Sequence, residues 1–415
     1  MKTLYITKAS EKYYTDYFED KEIKRPLMVD EIENGIILPL IVVNEYKTNE
    51  YHKGGVIDDD GNFCKLSGTK RLGTDFRMLQ EGYTSDVKPE YKDEIVIYGG
   101  VLYEFYGHVL IETMARLWYY IKYNPNKYRV VFDVMPNARG KFKEFFELLD
   151  IPYNDDTFIT KPTQYKKVIV PELAYNYATN WHKEYTAVFD FMKSKVPAAK
   201  YDKICFSRMK ISRGPIINEK EVMDIFKQNK YKILFPEKMS LKEQIAVLKG
   251  AKSFACWAGT LACQVLFCEN GTERIVLNRS FEPCEHHEIF DQCKNLTTYT
   301  IDCSLNPYPS THVFGPWLAG FTEELKEFCD DKGFKYNKRK KTNIVPSNFI
   351  SPFIKDWIGI NKNFNIPPDE FEAAARKIKK IKFKRTLLQS VYNILSMITT
   401  GELKQKLKLK GKGEI

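Results

Sequence analysis

Between Lys203 and Leu277 short apolar runs and helical stretches follow one another with almost no spare chain, and that alternation restricts the fold more than any other feature. Lys203-Ile204-Cys205-Phe206, Tyr231–Phe235, Ser253–Trp257 and Arg274–Leu277 read as strands. Helices are predicted between them. One is opened by Asn218 and runs to about Gln228. A second starts at Ser240-Leu241-Lys242-Glu243, which fits a capping box, and a third covers Leu261–Phe267 after the turn Ala258-Gly259-Thr260. Successive strands joined through a helix run parallel, and a parallel sheet needs cover on both faces. The expected unit is doubly wound, and such units bind ligands at the carboxyl ends of their strands.

The preceding half shows the same alternation less cleanly. Residues 1–100 lean towards strand, with the apolar run Ile36–Val43 and the turn Asp58-Asp59-Asp60-Gly61-Asn62. Glu94–Gly100 reads as a strand ending in glycines. A helix is expected from about Gly107 to Tyr123, stopped by Asn124-Pro125. Strands near Arg129–Val134 and Lys166–Val170 flank a helix near Lys141–Leu149. With 415 residues and 43% hydrophobic content, two or three domains have ample core.

Three clusters carry candidate chemistry. In Tyr106-Gly107-His108-Val109-Leu110-Ile111-Glu112-Thr113-Met114-Ala115-Arg116, helical spacing puts His108, Glu112 and Arg116 on one face. A histidine held by a carboxylate one turn away can take a proton from a hydroxyl nucleophile; an ordinary surface pair beside a satisfied histidine has the same spacing. Ser207-Arg208 and Ser212-Arg213 follow the first strand of the second half, where arginines can clamp a diphosphate, though solvated loop arginines look alike in sequence. Gly259-Thr260-Leu261 lies between a strand and a helix, a corner suited to phosphate or simply to close packing.

Other motifs are set aside. Asp58-Asp59-Asp60 runs into Gly61-Asn62 and reads as a hairpin turn. His286-His287 with Cys284 and Glu288 has no second ligand cluster nearby, so no metal is expected. Cys263 has no evident base, and the nine cysteines form no Cys-x-x-Cys pair; reduced thiols in a cytosol are expected. No signal-peptide core and no membrane-spanning run is visible.

In order and spacing these motifs resemble glycosyltransferase family 61. The resemblance covers roughly residues 50–280: Gly54-Gly55-Val56 and Asp60-Gly61, Gly99, the Tyr106–Trp118 segment, Ser207-Arg208 through Asn218-Glu219, Phe235-Pro236-Glu237 through Gln244-Ile245, and Gly259-Thr260-Leu261-Ala262 through Leu266-Phe267. It implies a GT-B-like α/β architecture, two Rossmann-like domains facing a cleft. It also implies inverting, metal-independent transfer of a sugar from a nucleotide sugar, with no other cofactor. By the same resemblance Arg208, Arg213, Gly259, Thr260, Leu261 and Glu237 face the donor, His108 is the base oriented by Glu112, and Arg116 is structural or acceptor-binding. Two departures stand out. Trp257 and Cys263 occupy the places where many relatives carry a histidine, and Asn278 follows the fourth strand where an acid is expected.

The formal net charge is +10, and residues 376–415 carry all of it, with 12 Lys and Arg against 2 Glu. Arg376–Arg385 holds seven basic residues, followed by a stripe of Leu388, Val391, Leu395 and Ile398 and then by Lys404, Lys406, Lys408, Lys410 and Lys412. A neutral body with a basic, amphipathic tail predicts attraction to an anionic membrane surface, about 1 kcal/mol per charge. The tail has few aromatics to stack on bases, so nucleic acid is not an expected partner. The expected organisation is an acceptor-side domain (1–195), a nucleotide-sugar domain (196–305), an extension packing back on them (306–375) and the basic amphipathic C-terminal tail (376–415). The expected function is transfer of a sugar to a growing surface glycan of capsule or O-antigen type, lipid-linked, at the cytoplasmic face of a bacterial cell membrane. The alternatives are pyruvyl or glycerol-phosphate transfer, or a non-catalytic assembly subunit.

Overall fold

The computed structural model describes residues 2–45, 49–69, 79–123, 127–211, 215–280, 287–307 and 315–361. Arg213, Cys284, His286 and the tail 376–415 lie outside the described residues.

The second sheet contains six strands, all parallel. Spatially, Lys232–Leu234 is at one edge, followed by Lys203–Phe206, Ser253–Trp257, Glu273–Asn278, Thr297–Asp302 and finally Lys2–Tyr5. The strands predicted between Lys203 and Leu277 are all present. The helix Leu241–Gly250 begins with the expected capping box, Ser240 and Glu243 bonding each other's backbone N–H. The chain's first strand is the departure. It lies in this sheet and not in the first, so a unit spanning 1–195 does not describe the fold. Hydrogen bonds hold the strand there: Thr7 N–H and Ser10 Oγ donate to Asp302 Oδ2 at 2.9 and 2.6 Å, closing the sheet's carboxyl edge.

The first sheet is mixed. Its parallel part is Thr163–Pro171, Glu90–Leu102, Arg129–Val134 and Phe158–Ile159. Val29–Glu33 and Ile36–Glu45 pair antiparallel with Thr163–Pro171, and Asn49–Ile57 extends that arm. This unit is therefore only partly Rossmann-like. One hydrophobic cluster runs between the two sheets, from Ile97 and Phe132 through Tyr185 and Phe189 of the helix Glu184–Ser194 to Phe206, Ile245 and Leu266. The far face of the second sheet is covered by Val222 and Phe226 of the helix Glu219–Gln228 and by Phe328 of the helix Glu323–Asp331. No helix among the described residues is long and apolar enough to cross a membrane.

The helix expected over 107–123 is broken into Tyr106–Ile111, a 3-10 turn Thr113–Arg116, and Trp118–Tyr123. Thr113 explains the break. Its hydroxyl donates to Val101 O at 2.8 Å, tying the chain to the neighbouring strand at the expense of the helix.

Asp133 joins the arm to the parallel part. Its Oδ2 accepts from Tyr98 OH at 2.7 Å and from Gly55 N–H at 3.1 Å. Burial pushes this carboxyl up to about 7, against the lowering effect of both bonds. A raised folded-state pKa means that the group's stabilising contribution is full below its unfolded value near 4 and is lost as pH rises through 7. The change is on the order of 4 kcal/mol. Urea unfolding of Asp133→Asn is expected to show a shallower loss of stability between pH 4 and 7 than the unsubstituted chain. Equal slopes would contradict this account.

Candidate active site at the junction of the two sheets

In the second sheet the first strand in chain order, Lys203–Phe206, lies between the second, Lys232–Leu234, and the third, Ser253–Trp257. Connections from the first and third strands therefore diverge to opposite sides and leave a crevice beyond their carboxyl ends, where ligands of doubly wound sheets bind. Ser207-Arg208 leaves the first strand, Ala258-Gly259-Thr260 the third, and Arg279 the fourth.

A buried carboxylate fixes the first of these exits. Glu219, 1% exposed, accepts through Oε1 from Ser207 Oγ (2.7 Å), Arg208 N–H (2.7 Å) and Trp257 Nε1–H (2.9 Å). One oxygen thus ties the first strand's exit to the end of the third. Burial raises the Glu219 pKa, while these donors and the Arg208 charge oppose the shift. The sequence suggested that Asn218 caps the following helix. It instead takes the left-handed conformation (φ 61°) and turns its amide to Ala319 O and Glu221.

Two guanidiniums meet beyond these strand ends. Arg279 is 6% exposed and sits 3.8 Å from the centroid of the Trp317 ring, and the Arg208 guanidinium is 5.7 Å from the same centroid. Burial draws the Arg208 pKa down, and Glu219 and Glu237 oppose that shift. Gly259 lies against Arg279. Its φ of +109° suits glycine alone, and a Cβ there would stand 2.9 Å from Arg279 Nη2. Thr260 is exposed, Leu261 half-buried, and Glu237 exposed on the turn Pro236–Lys238. Arg279 was missed in the sequence. Its only signal in the sequence is a basic residue next to Asn278, the position where an acid is expected. Asn278 itself is buried and donates to Tyr14 OH and Asp302 Oδ1, both at 2.8 Å.

The first sheet contributes the other wall. Gly107 opens the Tyr106–Ile111 helix so close to the third-strand turn that a Cβ would lie 3.0 Å from Thr260 Oγ1. The next residue is His108, whose Nδ1 is hydrogen-bonded to Glu112. The His108 side chain is 23% exposed and that of Glu112 7%. This bond leaves Nε2 as the ring nitrogen available for proton transfer. The His108 ring lies between aromatic neighbours: Tyr103 at 5.6 Å, Phe105 at 6.2 Å and Tyr177 at 6.1 Å between centroids.

Arg116 does not share this wall. The helix break turns it inward, where it is 1% exposed and donates to Pro171 O (2.5 Å) and Gly68 O (2.6 Å). That placement makes it a strut between the strand end and the loop at Gly68, the structural one of its two expected roles, in place of acceptor binding. The Asp58 turn is a hairpin, with Asn62 N–H donating to Asp58 Oδ1 at 2.7 Å. Cys263 is buried, its sulfur 3.8 Å from Gly259 O. Among the described residues no three His, Cys, Asp or Glu side chains gather as metal ligands.

The family model of Glycosyltransferase 61 matches residues 106–275. The match opens at the His108 helix and closes within the fourth strand, spanning His108, Glu112, Arg208, Glu219 and Gly259. Arg279 lies just beyond it. No curated protein matches the chain.

Proposed function

We propose, from the premise that this chain is a glycosyltransferase whose residues 106–275 belong to family 61, that it moves a sugar from a nucleotide-sugar donor to a glycan hydroxyl in one inverting step. The observation that carries this reading is the contact of Gly107 with Thr260, which brings the His108–Glu112 pair of one sheet to the arginine-lined crevice of the other. The donor diphosphate lies along Arg208, Arg279 and the Gly259–Thr260 turn, with Leu261 and Glu237 at its periphery. Arginines bind phosphate oxygens through paired N–H donors and neutralise charge as it develops on the leaving group, so the step has no need of an essential metal. His108 Nε2 takes the proton from the acceptor hydroxyl as its oxygen bonds to the anomeric carbon. The bond from that carbon to the phosphate oxygen breaks, and its electron pair leaves with the nucleoside diphosphate. Glu112 holds Nδ1–H and stabilises the imidazolium that forms.

A base on one sheet and a leaving-group clamp on the other support a GT-B-like division into acceptor and donor sides. The charge segregation in residues 376–415 supports a peripheral position on the inner face of a cell membrane and a lipid-linked glycan of capsule or O-antigen type as acceptor.

One experiment addresses both halves. The full chain and a chain lacking residues 376–415 are each given a panel of nucleotide sugars and then vesicles containing anionic lipid. Both chains are expected to release nucleoside diphosphate from at least one donor, and only the full chain to sediment with the vesicles. Turnover of a pyruvyl or glycerol-phosphate donor with none of any nucleotide sugar would overturn the chemistry, and sedimentation of the truncated chain would overturn the tail's role.

A further inference from the structure

One group of aromatic residues beside His108 is not used by the transfer step as described. Tyr175–Asn176 and Asn180–Trp181 form a short antiparallel hairpin whose turn carries Tyr177. The turn is built at a cost. Ala178 has φ +56°, a left-handed conformation that is strained for a non-glycine residue. The surroundings over-determine it. Asn176 Nδ2 donates to Asn180 Oδ1 (2.8 Å), and Trp181 Nε1 donates to Gln292 Oε1 (3.1 Å). The Tyr175 ring stacks on Tyr185 at 5.0 Å and on Phe290 at 5.9 Å. Strain held in this way beside a reactive group marks a position that must be kept. What it keeps is the half-buried Tyr177 ring, within 16° of parallel to the His108 imidazole. Phe105 lies on the same imidazole at 57° to it and is 42% exposed, a large apolar surface left towards solvent at the mouth of the site.

We propose that Tyr177 and Phe105 form the platform for the acceptor sugar. A pyranose has one face made largely of C–H groups, and such a face packs on an aromatic ring while its hydroxyls stay in water. Seated on these rings, the sugar presents a ring hydroxyl at His108 Nε2. The two rings thus act as positioning residues that select a saccharide acceptor over other hydroxyl compounds. The strained hairpin fixes Tyr177 before the acceptor arrives, which lowers the ordering cost of binding. This inference rests on the transferase reading above and adds to it the residues that seat and choose the acceptor sugar.

The test uses the full chain with methyl pyranosides of glucose, galactose, mannose and N-acetylglucosamine. Binding is read by saturation-transfer NMR and transfer by the KM and kcat for each pyranoside with a turned-over nucleotide sugar. At least one pyranoside is expected to bind, with its ring C–H protons receiving most of the saturation. Tyr177→Ala and the surface variant Phe105→Ala are each expected to raise its KM about tenfold or more, with kcat changed less than threefold. Tyr177→Phe, which keeps the ring, is expected to restore the KM. Nucleoside-diphosphate affinity, measured on the same samples, is expected to be unchanged. If nucleotide sugar is turned over but no pyranoside binds, or if both alanine variants keep the original KM, the platform is wrong and the transferase reading stands. If no nucleotide sugar is turned over, both fall.

Discussion

Arg208→Ala and Arg279→Ala are each expected to weaken nucleoside-diphosphate binding by about 1.5–3 kcal/mol, the range for a hydrogen bond to a charged group. At 1.4 kcal/mol per factor of ten, that is roughly a tenfold to hundredfold loss each, read by isothermal titration with UDP, GDP, CDP and dTDP. The reason is electrostatic. Two cations beside one tryptophan ring, Arg279 buried and Arg208 half-buried, are placed to meet a dianion, and their attraction for it grows as water is excluded. Arg279→Lys is the informative control. It keeps the charge beside Trp317 but loses the planar fork, so it should recover stability while recovering only part of the affinity. Unchanged affinity in both alanine variants would remove the diphosphate from this crevice.

His108→Ala is expected to lower kcat by about 10²–10⁴ while leaving nucleoside-diphosphate affinity in place, because the loss falls on proton transfer. Glu112→Gln should cost less. An amide oxygen can still accept from Nδ1–H, but it stabilises the imidazolium poorly. Steady-state kinetics with a turned-over nucleotide sugar separates the two. A His108→Ala chain that transfers at the original rate would show that the base lies elsewhere.

How much of this was legible depended on the range of the interactions involved. The second sheet could be read because each strand is a compact apolar run and local chemistry marks its connections, as with Ser240 and Glu243 at one helix start. Arg208 and Gly259 followed from standing directly after strands, and the His108–Glu112 pair from one-turn spacing. What could not be read depends on partners distant in sequence. Lys2–Tyr5 joins the second sheet by pairing with Thr297–Asp302, about 296 residues further along the chain. Arg279 gains its meaning from Trp317, and Arg116 is claimed by carbonyls at Gly68 and Pro171. Thr113 breaks a helix that periodicity favours because its hydroxyl reaches a neighbouring strand. None of these contacts leaves a periodic trace. They were missed for that common reason.

The donor is expected to bind at the crossing point of the second sheet, facing His108. Amide hydrogen exchange with and without saturating nucleoside diphosphate tests it most directly. Protection is expected in the peptides covering Ser207–Arg208, Gly259–Leu261 and Arg279. A groove of about 940 Å3 runs along the Glu219–Gln228 helix from Met209 and Lys210, beside the first exit, to Asp224, Gln228, Tyr336 and Phe349, and its far end serves for contrast. Protection confined to that far end, with the three strand exits unchanged, would contradict the account.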